Sequence, residues 1–232
     1  MNFRTLHLIN PIIRAVTEAG YSRPTEMQCA AIPAILAGRD IIGYAEPGTE
    51  KTAAFIMPVL QLLKKRCADH IRIRTLILVP NRERAIQIED HLTLYSKYLP
   101  LSQLSVFGGI EAPGQLAALK KRVDILIATP ERLLDLAGKR FIDLSRVEIM
   151  IVDEADRLTE TGFADEIKQI SQMIPRKRQI LLFSATLPEA VNTMAGTIMN
   201  NPLKICIAAA RTAIIHTQQP VYGTDKEKEQ IC

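Results

Sequence analysis

At 232 residues, with 47% hydrophobic and 23% charged side chains, the chain has the size and balance of one large globular domain, or two small ones, with a buried core. Its net charge of +4, from 29 basic and 25 acidic residues, permits a nucleic-acid partner without demanding one. The sequence has no signal-peptide pattern and no apolar run of membrane-spanning length, and its four cysteines (29, 67, 206 and 232) show neither Cys-x-x-Cys pairing nor metal-ligand spacing with the four histidines. Membrane-embedded, disulfide-framed and zinc-ribbon classes are thereby set aside. A cytoplasmic protein with reduced thiols is expected.

Asn10-Pro11 reads as a helix N-cap followed by proline at the first helical position, with Ile12, Ile13 and Val16 behind it. Gly20 ends that helix, and Pro24-Thr25 introduces a second that runs through Gln28 to about Ala37. Seven apolar runs then alternate with helical patterns. The runs are Asp40–Tyr44, Ile73–Val79, Leu104–Phe107, Asp124–Ala128, Glu148–Val152, Gln179–Phe183 and Leu203–Ile207. The helical patterns lie near 52–66, 82–98, 113–121, 131–138, 163–173 and 188–199. Strands apolar on both faces and separated by helices predict an α/β fold with a mostly parallel sheet, helices on both faces and ligands beyond the carboxyl ends of the strands. After Ala210 the pattern gives way to a polar stretch that reads as a linker or tail over 211–232.

Two stretches carry chemistry. Ala45-Glu46-Pro47-Gly48-Thr49-Glu50-Lys51-Thr52 follows the first strand and opens a helix. That is the layout of a phosphate-binding loop, in which backbone N–H groups cradle phosphates, Lys51 reaches the β/γ oxygens and the Thr52 hydroxyl meets Mg²⁺. Glu50 stands where such a loop wants glycine. A left-handed non-glycine residue costs roughly 1–2 kcal/mol. A carboxylate about 4 Å from a phosphate adds about 1–4 kcal/mol of repulsion. Together they correspond to roughly a hundredfold in affinity or more. Taken alone, the octapeptide fits both a nucleotide site and a coincidental turn.

The second stretch, Ile149-Met150-Ile151-Val152-Asp153-Glu154-Ala155-Asp156, ends an apolar strand in two carboxylates. Beside a phosphate loop, Asp153 would hold Mg²⁺, partly through water, and Glu154 would polarise the attacking water. By itself it is equally a helix start decorated with favourable acids.

Asp153-Glu154-Ala155-Asp156 spells the signature motif of the DEAD-box RNA helicases, and the chain resembles the first RecA-like domain of that family over residues 3 to about 210. Gly20-Tyr21 and Pro24-Thr25-Glu26-Met27-Gln28 resemble its Q motif, with Phe3 upstream. The resemblance implies a RecA-like, P-loop, three-layer sandwich over 1–210 that binds ATP and Mg²⁺. Gln28 would then read the adenine edge, Phe3 would stack on the base, and Tyr21, Ala45, Gly48, Thr49, Glu50, Lys51 and Thr52 would line the nucleotide site. Pro80-Asn81-Arg82-Glu83-Arg84-Ala85, the pair Gly108-Gly109, and Ala128-Thr129-Pro130-Glu131-Arg132-Leu133 resemble the family's RNA-gripping loops. By that likeness Pro80, Arg82, Glu83, Gly108, Gly109, Thr129, Pro130 and Arg132 would hold a sugar-phosphate backbone. Ser184-Ala185-Thr186 resembles the segment whose hydroxyls bond to the acidic motif and couple hydrolysis to strand separation; at a strand–helix junction they could also be simple caps.

Five positions depart from the family pattern: Pro47 for Thr, Glu50 for Gly, Asn81 for Thr, Arg84 for Leu and Glu131 for Gly. Both new carboxylates oppose polyanionic ligands. The resemblance also implies a second RecA-like domain, absent from this sequence, whose arginines complete the ATP site. Systems deprived of such an arginine lose about 10³–10⁵ in rate. The expectation is a monomeric, cytoplasmic ATP- and RNA-binding domain of an RNA helicase, weak or inactive alone. The rival readings are a non-catalytic RNA- or protein-binding remnant and, with less support from the spelling, a DNA helicase of a related superfamily.

Overall fold

Every apolar run forms a strand, and every pairing between them is parallel. The computed structural model describes residues 2–46, 49–65, 72–109 and 112–207. A 3₁₀ turn (Phe3–Leu6) leads into α1 (Asn10–Glu18), α2 (Glu26–Leu36), β1 (Ile41–Ala45) and α3 (Lys51–Lys65). Then follow β2 (Thr75–Leu78), α4 (Arg82–Tyr95), β3 (Gln103–Val106), α5 (Ala112–Leu119), β4 (Ile125–Ala128) and α6 (Pro130–Gly138). The chain continues through β5 (Ile149–Val152), α7 (Ala155–Glu160), α8 (Ala164–Met173), β6 (Gln179–Ser184), α9 (Glu189–Ile198) and β7 (Leu203–Ile207). The strand order is β3-β4-β2-β5-β6-β1-β7.

Alternate residues of each strand feed opposite faces of the sheet. Ile41, Ile77, Ile127, Ile151 and Leu181 enter one core, with α1 to α4. Ile42, Leu76, Leu126, Met150 and Leu182 enter the other, with α6 to α9. The predicted three layers follow directly from this division. Gly43 marks the tightest point, because a Cβ there would lie 2.5 Å from the Phe183 ring. Phe183 in turn packs on Phe55 of α3 with ring centroids 5.1 Å apart, so a bare backbone at Gly43 lets the helix that follows the phosphate loop seat close to the sheet.

Because all strands run one way, the segments after β1, β2, β4, β5 and β6 emerge along one edge of the sheet. That edge is where the motif residues were expected.

Two local expectations need correction. Asn10 is the first residue of α1 rather than its cap; the extended Ile9 fills that position without a side-chain bond. The helix start offered as one reading of the acidic motif is present as the six-residue α7, which the helical patterns did not include; Glu154 precedes it in a left-handed conformation (φ 52°) and supplies no side-chain cap. The boundary at 210, the stretch 211–232, and Cys67 and Cys232 lie outside the described residues.

Candidate functional site

The loop after β1 delivers Lys51 and Thr52 to the first turn of α3, and the strand β5 ends directly in Asp153 and Glu154. These two ends meet. Thr49, Glu50, Lys51, Thr52, Arg84, Glu154, Asp156, Arg157 and Ala185 line one cleft of about 310 Å³ at the carboxyl edge of the sheet. Larger hollows of about 470 and 530 Å³ open near the amino-terminal ends of β5 and β6, and neither is lined by a candidate site residue.

Glu50 has φ 51°, so the loop does place its backbone in the left-handed region that glycine would enter freely. Its carboxylate accepts a hydrogen bond from Gln28 Nε2 at 3.1 Å. The other end of that amide, Oε1, accepts from the Thr25 backbone N–H at 3.1 Å, and the Thr25 hydroxyl caps Gln28 in return. Thr25 also donates to the Thr49 carbonyl at 3.2 Å. One N–H and one lone pair of the Gln28 amide are therefore held by the chain's own groups, and its second N–H and second lone pair are what remain for an adenine edge. The reciprocal cap was legible as Thr25-x-x-Gln28, the spacing of a capping box. Phe3 is buried in the core, and with Gly20 and Tyr21 it lines a shallow hollow of about 260 Å³. Ala45 is buried at the end of β1, whereas Gly48 lies outside the described residues.

The Lys51 ammonium folds back to donate to the Ala45 carbonyl and, at 3.2 Å, to that of Glu46. Burial lowers its pKa, against an upward pull from Asp153 and Asp156. Lys51 is thus half-buried within reach of the acidic segment, facing the cleft that a triphosphate would fill.

Arg84, one of the five departures, dominates the far wall. Its Nε donates to Asp153 Oδ2 at 2.7 Å, its Nη2 to the Thr52 hydroxyl at 2.8 Å, and its Nη1 to Gln87 Oε1 at 3.0 Å. Nε also lies 3.4 Å from Glu154 Oε1. Burial opposes the Arg84 charge, but Asp153 and Glu154 outweigh it and raise its pKa. Burial raises the Glu154 carboxyl, and Arg84 only partly offsets that. Sequence reasoning noted Arg84 as a misfit and gave it no role. A signal was present, since position 84 shares a helix face with buried Ile88, Leu92 and Tyr95, where a cation needs an acidic partner.

The two expected ligands of Mg²⁺, the Thr52 hydroxyl and the Asp153 carboxylate, are the two groups that this guanidinium bridges. The buried Asp153 Oδ1 accepts nothing among the described residues. Among them, too, no three His, Cys, Asp or Glu side chains converge as a metal cluster. Inserting a +2 ion about 4 Å from the +1 guanidinium adds a repulsion of about 2–8 kcal/mol, depending on the effective dielectric. With Arg84 in place, the residues do not fit a divalent cation.

Asp156 ties the acidic segment to the strand beyond it. Its Oδ2 accepts from the Thr186 N–H and hydroxyl, both at 2.9 Å, and the Ser184 hydroxyl accepts from the Asp156 N–H at 3.1 Å. The contacts expected of Ser184 and Thr186 are present. Burial pushes the Asp156 carboxyl up, but the bonds from Thr186 and Ser184 outweigh it and hold it below the usual range. A lowered folded-state pKa stabilises the fold above the unfolded value and loses that contribution as pH falls through the folded one. Thr186→Val is accordingly expected to cost about 1 kcal/mol at neutral pH, with the deficit shrinking as Asp156 protonates, in urea denaturation across an acid series.

Toward β3 the edge carries the remaining motif loops. Exposed Arg82 stacks its guanidinium 5.4 Å over the Phe107 ring, next to the exposed Gly108-Gly109 turn, where Gly109 has φ 80°. Pro80 is half-buried and Glu83 exposed in the first turn of α4. Thr129 occupies the cap position of α6, Pro130 is buried as its first residue, and Glu131 is exposed in its first turn. Arg132 turns inward, donating to Gln115 Oε1 at 3.1 Å and Asp135 Oδ2 at 2.9 Å, while Gln115 Nε2 donates to the Phe107 carbonyl at 3.1 Å. This network locks the Gly108 and Thr129 loops together. Arg132 is thus mainly a brace here, and Arg82 is the more available cation.

Comparison with known proteins agrees with this geometry. The DEAD/DEAH box helicase family profile matches residues 25–194. The chain is 41% identical over 208 residues to "Probable ATP-dependent RNA helicase ddx27" of Dictyostelium discoideum, covering 89% of this chain and 27% of that protein. It is 38% identical over 221 residues to "DEAD-box ATP-dependent RNA helicase RhpA" of Helicobacter pylori, covering 95% of this chain and 44% of the relative. The crystal structure of a DEAD box protein from the hyperthermophile Methanococcus jannaschii superposes with a TM-score of 0.83 at 32% identity, over 89% of this chain and 56% of that one. The chain thus spans between about a quarter and a half of the length of these curated relatives.

Proposed function

The chain belongs to the DEAD/DEAH box helicase family, with the RecA-like fold of its structural neighbour, and from that premise we propose that it is the ATP- and RNA-binding domain of an ATP-dependent RNA helicase. One observation carries the reading: the Lys51–Thr52 helix start and the Asp153–Glu154 strand end face one cleft rather than opposite sides of the molecule. In that reading Lys51 leaves the Ala45 and Glu46 carbonyls for the β/γ oxygens, and the N–H groups of the α3 start hold phosphate. Glu154, whose proton affinity is raised by burial, is suited to orient and deprotonate a water. The Asp156–Thr186 and Asp156–Ser184 bonds then carry any shift of the acidic segment to the loop after β6.

RNA would lie along the same edge, over Arg82, Gly108, Gly109 and Thr129. Contacts there go to the backbone rather than to base edges, so binding would be independent of base sequence. Unwinding would require a second RecA-like domain to close over both ligands and supply the missing arginine. The same reading puts the protein in the cytoplasm, where ATP and RNA meet, as a monomer with one RNA strand.

Titration of the chain with a fluorescent adenine nucleotide tests this. Saturable binding that Lys51→Ala weakens at least about tenfold, with circular dichroism unchanged, is expected. Single-stranded RNA should bind with an affinity that falls steeply with salt and ignores base sequence. No nucleotide binding at millimolar concentration by a folded chain would overturn the reading.

A further inference from the structure

We propose that Arg84 serves this site as a built-in cation, so that nucleotide binds without a divalent metal and the metal is kept out. The inference rests on the nucleotide reading above and adds what neutralises the phosphates. The guanidinium bridges Thr52 Oγ1 and Asp153 Oδ2, at 2.8 and 2.7 Å, and so sets a positive charge on both groups a metal would need, with only Asp153 Oδ1 left unpartnered. Three of its donors are committed in the hydrogen bonds to Asp153, Gln87 and Thr52. A guanidinium has five N–H donors, so two remain for oxygens in the cleft that Arg84 lines.

A planar fork of that kind matches phosphate geometry, and unlike a metal it cannot diffuse away. Arg84 also rises from the first turn of α4, which a short turn joins to buried Leu78 of β2. Its stem is therefore anchored in the body of the domain rather than on a loose loop. An arginine that merely neutralised buried Asp153 would leave wild-type nucleotide binding dependent on Mg²⁺. A built-in cation would not.

The test uses the whole chain and two variants, Arg84→Leu and Arg84→Lys, each checked for folding by circular dichroism. Free Mn²⁺ is followed by electron paramagnetic resonance. A fluorescent ATP analogue is titrated in EDTA and in excess Mg²⁺. The wild-type chain is expected to retain no Mn²⁺ and to bind nucleotide within about twofold the same in EDTA and Mg²⁺. Arg84→Leu should retain Mn²⁺ on Thr52 and Asp153, and its nucleotide affinity should fall by more than about tenfold when Mg²⁺ is replaced by EDTA.

Arg84→Lys keeps the charge in a compact head without the fork, and should fall between the two. If the leucine variant fails to fold, wild type and Arg84→Lys decide: a small or graded dependence on Mg²⁺ supports the proposal, and a drop of more than about tenfold in EDTA shared by both overturns it. Wild-type affinity that drops more than about tenfold in EDTA also overturns it, as does a metal response shared by wild type and Arg84→Leu. If neither protein binds nucleotide in any buffer, the functional reading fails separately. The Mn²⁺ arm then decides alone, with retention by Arg84→Leu only in support and equal behaviour of the two against.

Discussion

Replacing Glu50 by glycine is expected to tighten adenine-nucleotide binding by at least about tenfold, read by titration with a fluorescent nucleotide. Two costs vanish together. The left-handed backbone, at φ 51°, carries roughly 1–2 kcal/mol of strain that glycine does not feel. The carboxylate, which bonds to Gln28 Nε2, leaves a loop meant to surround a triphosphate and frees the one Gln28 N–H that it held. Glu50→Ala separates the two effects, since alanine removes the charge but keeps a Cβ at positive φ. If the glycine variant gains tenfold and the alanine variant only part of it, strain and charge both matter. If neither gains, turning the carboxylate onto Gln28 already keeps it clear of the phosphates, and the loop tolerates Glu50. Fold stability should change little in the glycine variant. Relief of strain is offset by the lost hydrogen bond and by the larger conformational entropy of glycine in the unfolded chain.

How far this was readable from sequence depends on which force set each feature. The inner strands β1, β2, β4, β5 and β6 were legible because burial on both faces writes an unbroken apolar run, as in Leu76–Val79 and Ile149–Val152. The edge strands β3 and β7 are largely half-buried or exposed and stood out only as short apolar runs between helices. The short α7 was legible only as a possible helix start at the acidic motif, because Glu154, which launches it in a left-handed conformation, offers no side-chain cap and the helix ends within six residues. At the site, Lys51, Thr52, Asp153, Ser184 and Thr186 were legible through spacing, and the structure brings them to one edge. What spacing could not disclose was the pairing of groups distant in the chain. Arg84 with Thr52 and Asp153, and Gln28 with Glu50, come together only when the parallel crossovers align their strand ends. Each pair joins a departure from the family pattern to a residue that fits it. Glu50 and Arg84 are therefore not isolated defects but have partners.

Cutting the Arg84–Asp153 pair from one side is expected to have the largest effect on stability. Asp153 is 1% exposed and the Arg84 side chain 16%, so removing the guanidinium leaves a carboxylate almost without water or partner. Arg84→Leu should therefore cost about 3 kcal/mol in metal-free buffer, at the low end for a broken buried pair because Lys51 can turn toward Asp153. Leucine suits the apolar helix face there, so little of that cost comes from packing. Asp153→Asn should cost less, about 1–2 kcal/mol, since Arg84 keeps Thr52, Gln87 and the nearby Glu154. The double variant should cost little more than the larger single change, giving a coupling energy of about 1–2 kcal/mol by urea denaturation. A metal that binds only the folded Arg84→Leu protein must restore stability as its concentration rises, by about 1.4 kcal/mol for each tenfold increase above its dissociation constant. Wild type should show no such rise, because its cation is already attached to the chain. Additive single costs, or a leucine variant as stable as wild type with or without metal, would mean that water rather than Arg84 balances Asp153, and that the guanidinium lies across the site without holding it together.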